Sequence, residues 1–408
     1  MKFGLRFRLS TMMFLQYAIW GAWAPVLSGY LVDDLGFTKF QAGFIYSLLP
    51  LATMISPFIF GQLADRLVAT QRLLSMAHIG GGIALLVAAS QTSYSGISWL
   101  MLIYALLYGP TLALSNSICF NHMRDSEKEF GGIRMWGTIG WMASGWLLTA
   151  WRSSAGLTGM SDSLLLAGAF ALMLGIFSLA LPHTPPKKEG ANPLAFMDAL
   201  KLLKNRNFAI FMIISFVVAT ELQFYYILTA PFLLDIGIAG QRLPAIMTIA
   251  QGAEALVMVL LLPILLPKLG ARKMLAIGVI AWPIRYAIFA IGAPTWLVVS
   301  SLALHGFCYV FFFVVGFIYV DQVAKADIRA SAQSLVAFVI LGLGAYVGSL
   351  FSGWIGDAFK LADGSADWRM IFIVPLALTI TAAIAFLVAF KDEKAEAPQM
   401  EEAVTAEA

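Results

Sequence analysis

Apolar residues run along this chain in blocks of about 20, separated by short clusters of charged residues, glycine and proline, and a helix of that length is what the hydrocarbon of a bilayer requires. Twelve such blocks can be marked, at roughly 9–31, 40–63, 73–91, 97–119, 131–151, 162–182, 207–233, 243–266, 274–292, 296–320, 329–355 and 368–390. Only Gly292 to Thr295 separates the ninth from the tenth, but that stretch forms turns and so favours two spans over one long one. The expected fold is an all-α membrane protein with twelve transmembrane helices.

Composition agrees with the pattern: 60% of the 408 residues are hydrophobic and 12% charged, too few charges to clothe a water-facing surface. A net charge of +3 gives no reason to expect nucleic acid as a partner. The placement of the positive residues is more telling. With the N-terminus inside, only Lys39, Arg152, Arg242, Lys360 and Arg369 of the 26 Lys and Arg fall outside, Arg134 and Arg285 fall within spans, and the rest are cytoplasmic. Both termini are therefore expected in the cytoplasm. Cys119 and Cys308 lie in apolar stretches and the four histidines are scattered, so neither a disulfide framework nor a metal site is expected.

The longest connection, with P-H-T-P-P-K-K-E-G and a short amphipathic piece ending in Lys201, Lys204 and Arg206, divides the chain. The reading is an N-terminal six-helix bundle over 1–181, a cytoplasmic linker over 182–206, a second bundle over 207–390 and a disordered acidic tail over 391–408. After the second span comes G-Q-L-A-D-R, with Arg72 close behind, and after the eighth comes P-K-L-G-A-R-K. This arrangement resembles the major facilitator superfamily over essentially the whole chain, with Gly61, Asp65, Arg66 and Arg72 matching its loop signature. The resemblance implies two bundles around a central cavity that opens alternately to each side, with Asp65 and Arg66 as gating contacts.

Polar residues inside the spans supply the candidate chemistry. In G-G-I-R-M-W-G-T-I-G-W, Arg134, Thr138 and Trp141 fall at i, i+4 and i+7 and share one face. Arg134 either looks into a binding site or anchors its helix at the interface. Gln16 and Trp20 stand one turn apart in the first span, with Trp23 near that face. Gln223 and Tyr226 in the seventh span, and Gln251 and Glu254 in the eighth, each stand at i and i+3. Glu254 lies near mid-span, where a carboxylate needs a partner or a proton, and is read as functional; Glu221 is left open. Arg285 is read as a fixed counter-charge for Glu254 or Glu221. His305 and Tyr309 share a face of the tenth span, either as ligand contacts or as structure. Amides, hydroxyls and aromatic faces suit recognition of a neutral, polar, partly flat solute, and no catalytic grouping is present, so an enzyme is not expected.

F-L-Q-Y-A-I-W-G-A-W, I-R-M-W-G-T-I-G, E-L-Q, Q-G-A-E and I-R-A-S-A-Q together resemble the nucleoside:proton symporter family of that superfamily. The resemblance implies nucleoside uptake across the bacterial inner membrane, with H⁺ as coupling ion, no other cofactor, and a monomer in the lipid bilayer. It implies nucleoside contacts at Arg134, Thr138, Gln223, Gln251 and Glu254, with Trp141, Tyr226, His305 and Tyr309 at further site positions of changed residue type. Glu254 and Arg134 are the implied proton-coupling pair. Val310 stands where better-known members carry an acid, so coupling rests on that pair, or is altered or absent. A carrier for a sugar or another small polar metabolite, and a non-transporting receptor of the same fold, are the alternative readings.

Overall fold

The computed structural model describes residues 2–56, 68–123, 125–156, 159–186, 195–324 and 328–391. Asp65, Arg66 and all of the acidic tail but Lys391 lie outside the described residues. Among the described residues every regular element is helical, as lipid demands of a chain whose main-chain polar groups have no water to turn to.

In the first half, α1 covers 3–34: Phe3–Trp23 is α-helical, 24–26 turn, and the path resumes through Leu27–Gly29 and a π turn at Tyr30–Asp34. It is followed by α2 (Lys39–Ser56), α3 (Thr70–Ala88), α4 (Tyr94–His122), α5 (Ser126–Ala155) and α6 (Asp162–Ser178). A 3₁₀ helix, Ala195–Lys204, lies in the linker and packs against Arg329–Ala337. The second half holds α7 (Arg206–Asp235), α8 (243–269), α9 (271–291), α10 (Thr295–Val323), α11 (329–358) and α12 (Trp368–Ala389). Between α8 and α9 stands Gly270, whose φ of 73° belongs to the left-handed region and reverses the chain where a side chain would be strained.

Packing repeats with a period of six helices. In the first half α1 packs on α5, α3 on α6 and α2 on α4; in the second, α7 packs on α11, α9 on α12 and α8 on α10. The two most extensive contacts between the halves, α2 along α11 and α5 along α8, are related by the same shift. The result is two six-helix bundles related by a pseudo-twofold axis.

The first bundle is locked internally by neutral polar groups. Gln16 donates its amide hydrogen to Thr111 Oγ1 at 2.8 Å and its Oε1 pairs with His78 Nε2 at 2.9 Å, while Tyr108 donates to the Gln16 carbonyl at 2.7 Å. Trp23 donates to Tyr104 at 3.0 Å. Gln16 and Trp23 therefore point into the bundle, away from the face that carries Trp20.

The face opposite the N-terminus is shut by contacts between bundles. Asp357, at the end of α11, accepts the Lys39 and Phe40 main-chain amides at 2.8 and 2.9 Å, so a carboxylate from one bundle caps the N-terminus of a helix in the other. At Gly43 and Gly353 the two helices approach so closely that a Cβ would meet main-chain atoms of the partner helix. Arg152, read from sequence as a loop charge, is instead buried: it makes a two-pronged pair with Asp162 at 2.8 and 2.6 Å and donates to the Gly240 carbonyl at 3.0 Å. Thr149 accepts the Ala245 amide at 3.0 Å.

Candidate functional site

Arg134 and Thr138 sit in the first half of the 30-residue helix α5, with Trp141 a turn further on, and the close crossing of α5 over α1 sets them beside Tyr17 and Trp20. Gly140 permits that crossing, since a Cβ there would strike the Phe14 main chain. The Arg134 guanidinium lies 3.9 Å from the centre of the Tyr17 ring, a cation–π contact that helps to hold the charge at this depth. Trp20 meets Trp141 edge-to-face, with centroids 5.4 Å apart.

Helices α7, α8 and α10 bring the other wall. Gln251 and Glu254 lie on α8 just before its π turn, Val257–Leu261, and Tyr309 opens the π turn Tyr309–Val314 of α10. A π turn re-phases the side chains that follow it, and such turns recur at functional sites. Tyr17, Trp20, Arg134, Gly137, Thr138 and Trp141 from the first bundle and Tyr226, Gln251, Glu254 and Tyr309 from the second line one cavity of about 80 Å³. Trp141 Nε1, a donor, and Gln251 Oε1, an acceptor, are buried without a hydrogen-bond partner. Two such groups, one in each wall, are what a polar solute would satisfy.

Seven of the nine candidates thus meet around one void, and two stand outside it in this conformation. Gln223 is turned onto α11, where its Oε1 takes a 3.4 Å contact from Ser349 Oγ and its Cγ fills the space over Gly348. His305 stands behind Tyr309, with ring centroids 5.5 Å apart, and accepts from Arg285 at Nδ1. Arg285 makes no hydrogen-bonded ion pair with a carboxylate: its guanidinium lies over Tyr225, Trp282 and Tyr286 at 4.6, 4.5 and 5.1 Å, and Glu221 acts on it only as a neighbouring charge. Tyr17 was not singled out by sequence reasoning. Its spacing of three residues from Trp20 was the available signal, since these two face the cavity whereas Gln16 and Trp23 face the bundle.

The cavity falls well short of the roughly 300 Å³ at which small-molecule sites begin, so the bundles must part to admit a solute. A larger recess of about 490 Å³ between α7 and α12 is lined by apolar side chains and Thr381, and has the character of a lipid-facing flank. No grouping of metal-ligating residues occurs among the described residues.

Two six-helix bundles closed over a mid-depth cavity of aromatic faces, amide, cation and carboxylate define a membrane carrier of the major facilitator type. Residues 3–395 match the family model described as nucleoside H⁺ symporter, and the chain belongs to that family. It is 33% identical to a putative nucleoside transporter, YegT, of Escherichia coli (strain K12), over 95% of this chain and 94% of the relative. Identity to the xanthosine permease of the same organism is 32%, over 94% and 95%. The crystal structure of nucleoside transporter NupG superposes with a TM-score of 0.85 at 30% identity, covering 95% of this chain and 100% of that one.

Proposed function

We propose that this nucleoside transporter takes up its substrate with protons across the bacterial inner membrane, by alternating access, with both termini in the cytoplasm and the shut face toward the periplasm. Trp20, Trp141, Tyr226 and Tyr309 offer flat surfaces to the base, while Gln251 and Thr138 supply hydrogen bonds to its edge or to ribose hydroxyls. Glu254 carries the coupling proton. Arg134 faces it from the other bundle across the cavity, and a carboxylate there resists closure unless it is paired or protonated. The observation that carries this reading is the convergence of seven candidate side chains, from both bundles, on one cavity with an unsatisfied donor and acceptor in its wall.

Uptake of labelled nucleosides in a transport-deficient strain tests it. We expect accumulation that rises as external pH falls and collapses when a protonophore is added. Accumulation indifferent to both would remove the proton from the cycle, and competition by sugars in place of nucleosides would change the cargo.

A further inference from the structure

Each bundle holds a polar cluster at the same place in its repeat, on the first, third and fourth helices, and the two clusters differ in kind. In the first bundle Gln16, His78, Tyr108 and Thr111 are neutral and bonded to one another. At the matching helices of the second bundle stand Glu221 of α7, Arg285 of α9 and His305 of α10, all fully buried and two of them charge-bearing. Most of their bonding capacity is unused. Both carboxylate oxygens of Glu221, Nε and Nη2 of Arg285 and Nε2 of His305 have no partner.

The bonds that do exist restrict the states open to the cluster. A guanidinium can only donate, so the 3.1 Å contact from Arg285 Nη1 makes His305 Nδ1 an acceptor and leaves the ring proton on Nε2. Tyr286 gives its hydroxyl proton to the main-chain carbonyl of Glu221 at 2.7 Å. That proton is not available to the Glu221 carboxyl, which lies near Tyr286 and Arg285 without a hydrogen bond to either, at a depth where an ionised carboxylate without one is not tolerated. The arrangement fits a Glu221 that carries a proton, with Arg285 spreading its charge over three aromatic faces. A purely structural pair would be joined, as Arg152 and Asp162 are.

We propose that Glu221 is a second proton-binding carboxylate of the transport cycle, with Arg285 as the partner it takes when the proton leaves and His305 as the link to the cavity wall. The proposal rests on the proton-coupled reading above. On deprotonation the carboxylate draws in the guanidinium, an ion pair forms, and His305 loses the donor that fixes it. His305 lies 5.0 Å from Tyr225 and 5.5 Å from Tyr309, and Tyr225 lies 5.3 Å from Tyr226, so both second-bundle tyrosines of the cavity touch the cluster or its neighbour.

The titratable groups around Glu221 are Arg285 and Tyr286 from α9, Cys308 and His305 from α10 and Tyr225 on its own helix, with Glu254 of α8 acting on Tyr225. Helices α11 and α12, also packed on α7, carry no charged residue over 331–356 and 370–389. Along α2 there is none over 40–56, and Asp33 and Asp34 stand at the far end of α1.

The test is nucleoside-driven proton uptake and counterflow exchange in proteoliposomes, for wild type, Glu221→Gln and the charge-balanced double variant Glu221→Gln/Arg285→Gln. We expect both variants to take up fewer protons per nucleoside than wild type, with the share carried by Glu254 remaining. The double variant, which buries no unpaired charge, should keep counterflow, since neither residue lines the cavity. An infrared carboxylic-acid band present in wild type and missing in the double variant would identify the proton's seat. A proton-to-nucleoside ratio in the double variant equal to that of wild type would reduce the cluster to structure and overturn the proposal while leaving coupled uptake intact. Wild type that moves nucleoside without protons would overturn both.

Discussion

Replacing Glu254 with Gln is expected to abolish concentrative uptake of nucleoside while leaving counterflow exchange in place. The amide keeps the size and hydrogen bonding of a protonated carboxyl but can neither gain nor lose the coupling proton. Without a proton on the cavity carboxylate, proton binding is no longer tied to nucleoside binding, and the internal concentration should only equal the external one. A coupled carrier moving one proton per nucleoside could sustain about a tenfold ratio for each pH unit of gradient, so the loss is large and easily read. The variant should also bind nucleoside with altered affinity, because Glu254 lines the cavity. That separates it from substitution at Glu221, which does not. Normal accumulation by Glu254→Gln would clear this residue of the role.

The second large effect is expected at the shut face. Removing the Asp357 carboxylate (Asp357→Ala) deletes two main-chain hydrogen bonds to the start of α2. Bonds to a charged group are worth about 1.5–3 kcal/mol each, so the closed state should lose at least tenfold in population. A cysteine placed at Thr149, whose hydroxyl lies in the second interbundle contact, should then react faster with a membrane-impermeant maleimide; an unchanged rate would mean that the cap does not hold the gate. The same face should respond to pH. Partial desolvation at the closed face, with Asp235 beside it and against the pull of Lys39, pushes the Asp33 carboxyl from 3.8 up to about 7, although its side chain still meets solvent. A carboxyl whose value is raised on closure takes up a proton as the face shuts. Closure is therefore favoured by acid, weakens as pH rises from about 4 to about 7, and is flat above that. Maleimide labelling should rise over that window, and Asp33→Asn should remove the trend.

Much of this was legible in the residues because lipid leaves few choices. Twelve apolar blocks with asymmetric flanking charge can become little other than helices of alternating direction, and the turn after Ile291 and the break at Gly270 fall where glycine and proline marked them. Arg134, Thr138 and Trp141 were legible as one face because α5 is regular through them. What could not be read was the rotation of each helix about its own axis, which packing decides. Thus Gln223 turned onto Ser349, and Gln16 turned into its bundle while Tyr17 took the cavity face. The π turn beginning at Tyr309 shifts the register that a straight helix would give. Arg152 and Lys39 read as loop charges because nothing local shows that the two bundles close over them.

The central claim is that nucleoside is held by side chains of both bundles in the cavity between them. Calorimetric titration of purified protein with nucleosides, for wild type and for Trp141→Ala and Gln251→Ala, tests it most directly. The expected result is binding weakened about tenfold or more by either substitution, one from each bundle, since each removes a buried contact worth about 1.4 kcal/mol or more. Wild-type affinity in both variants would contradict it.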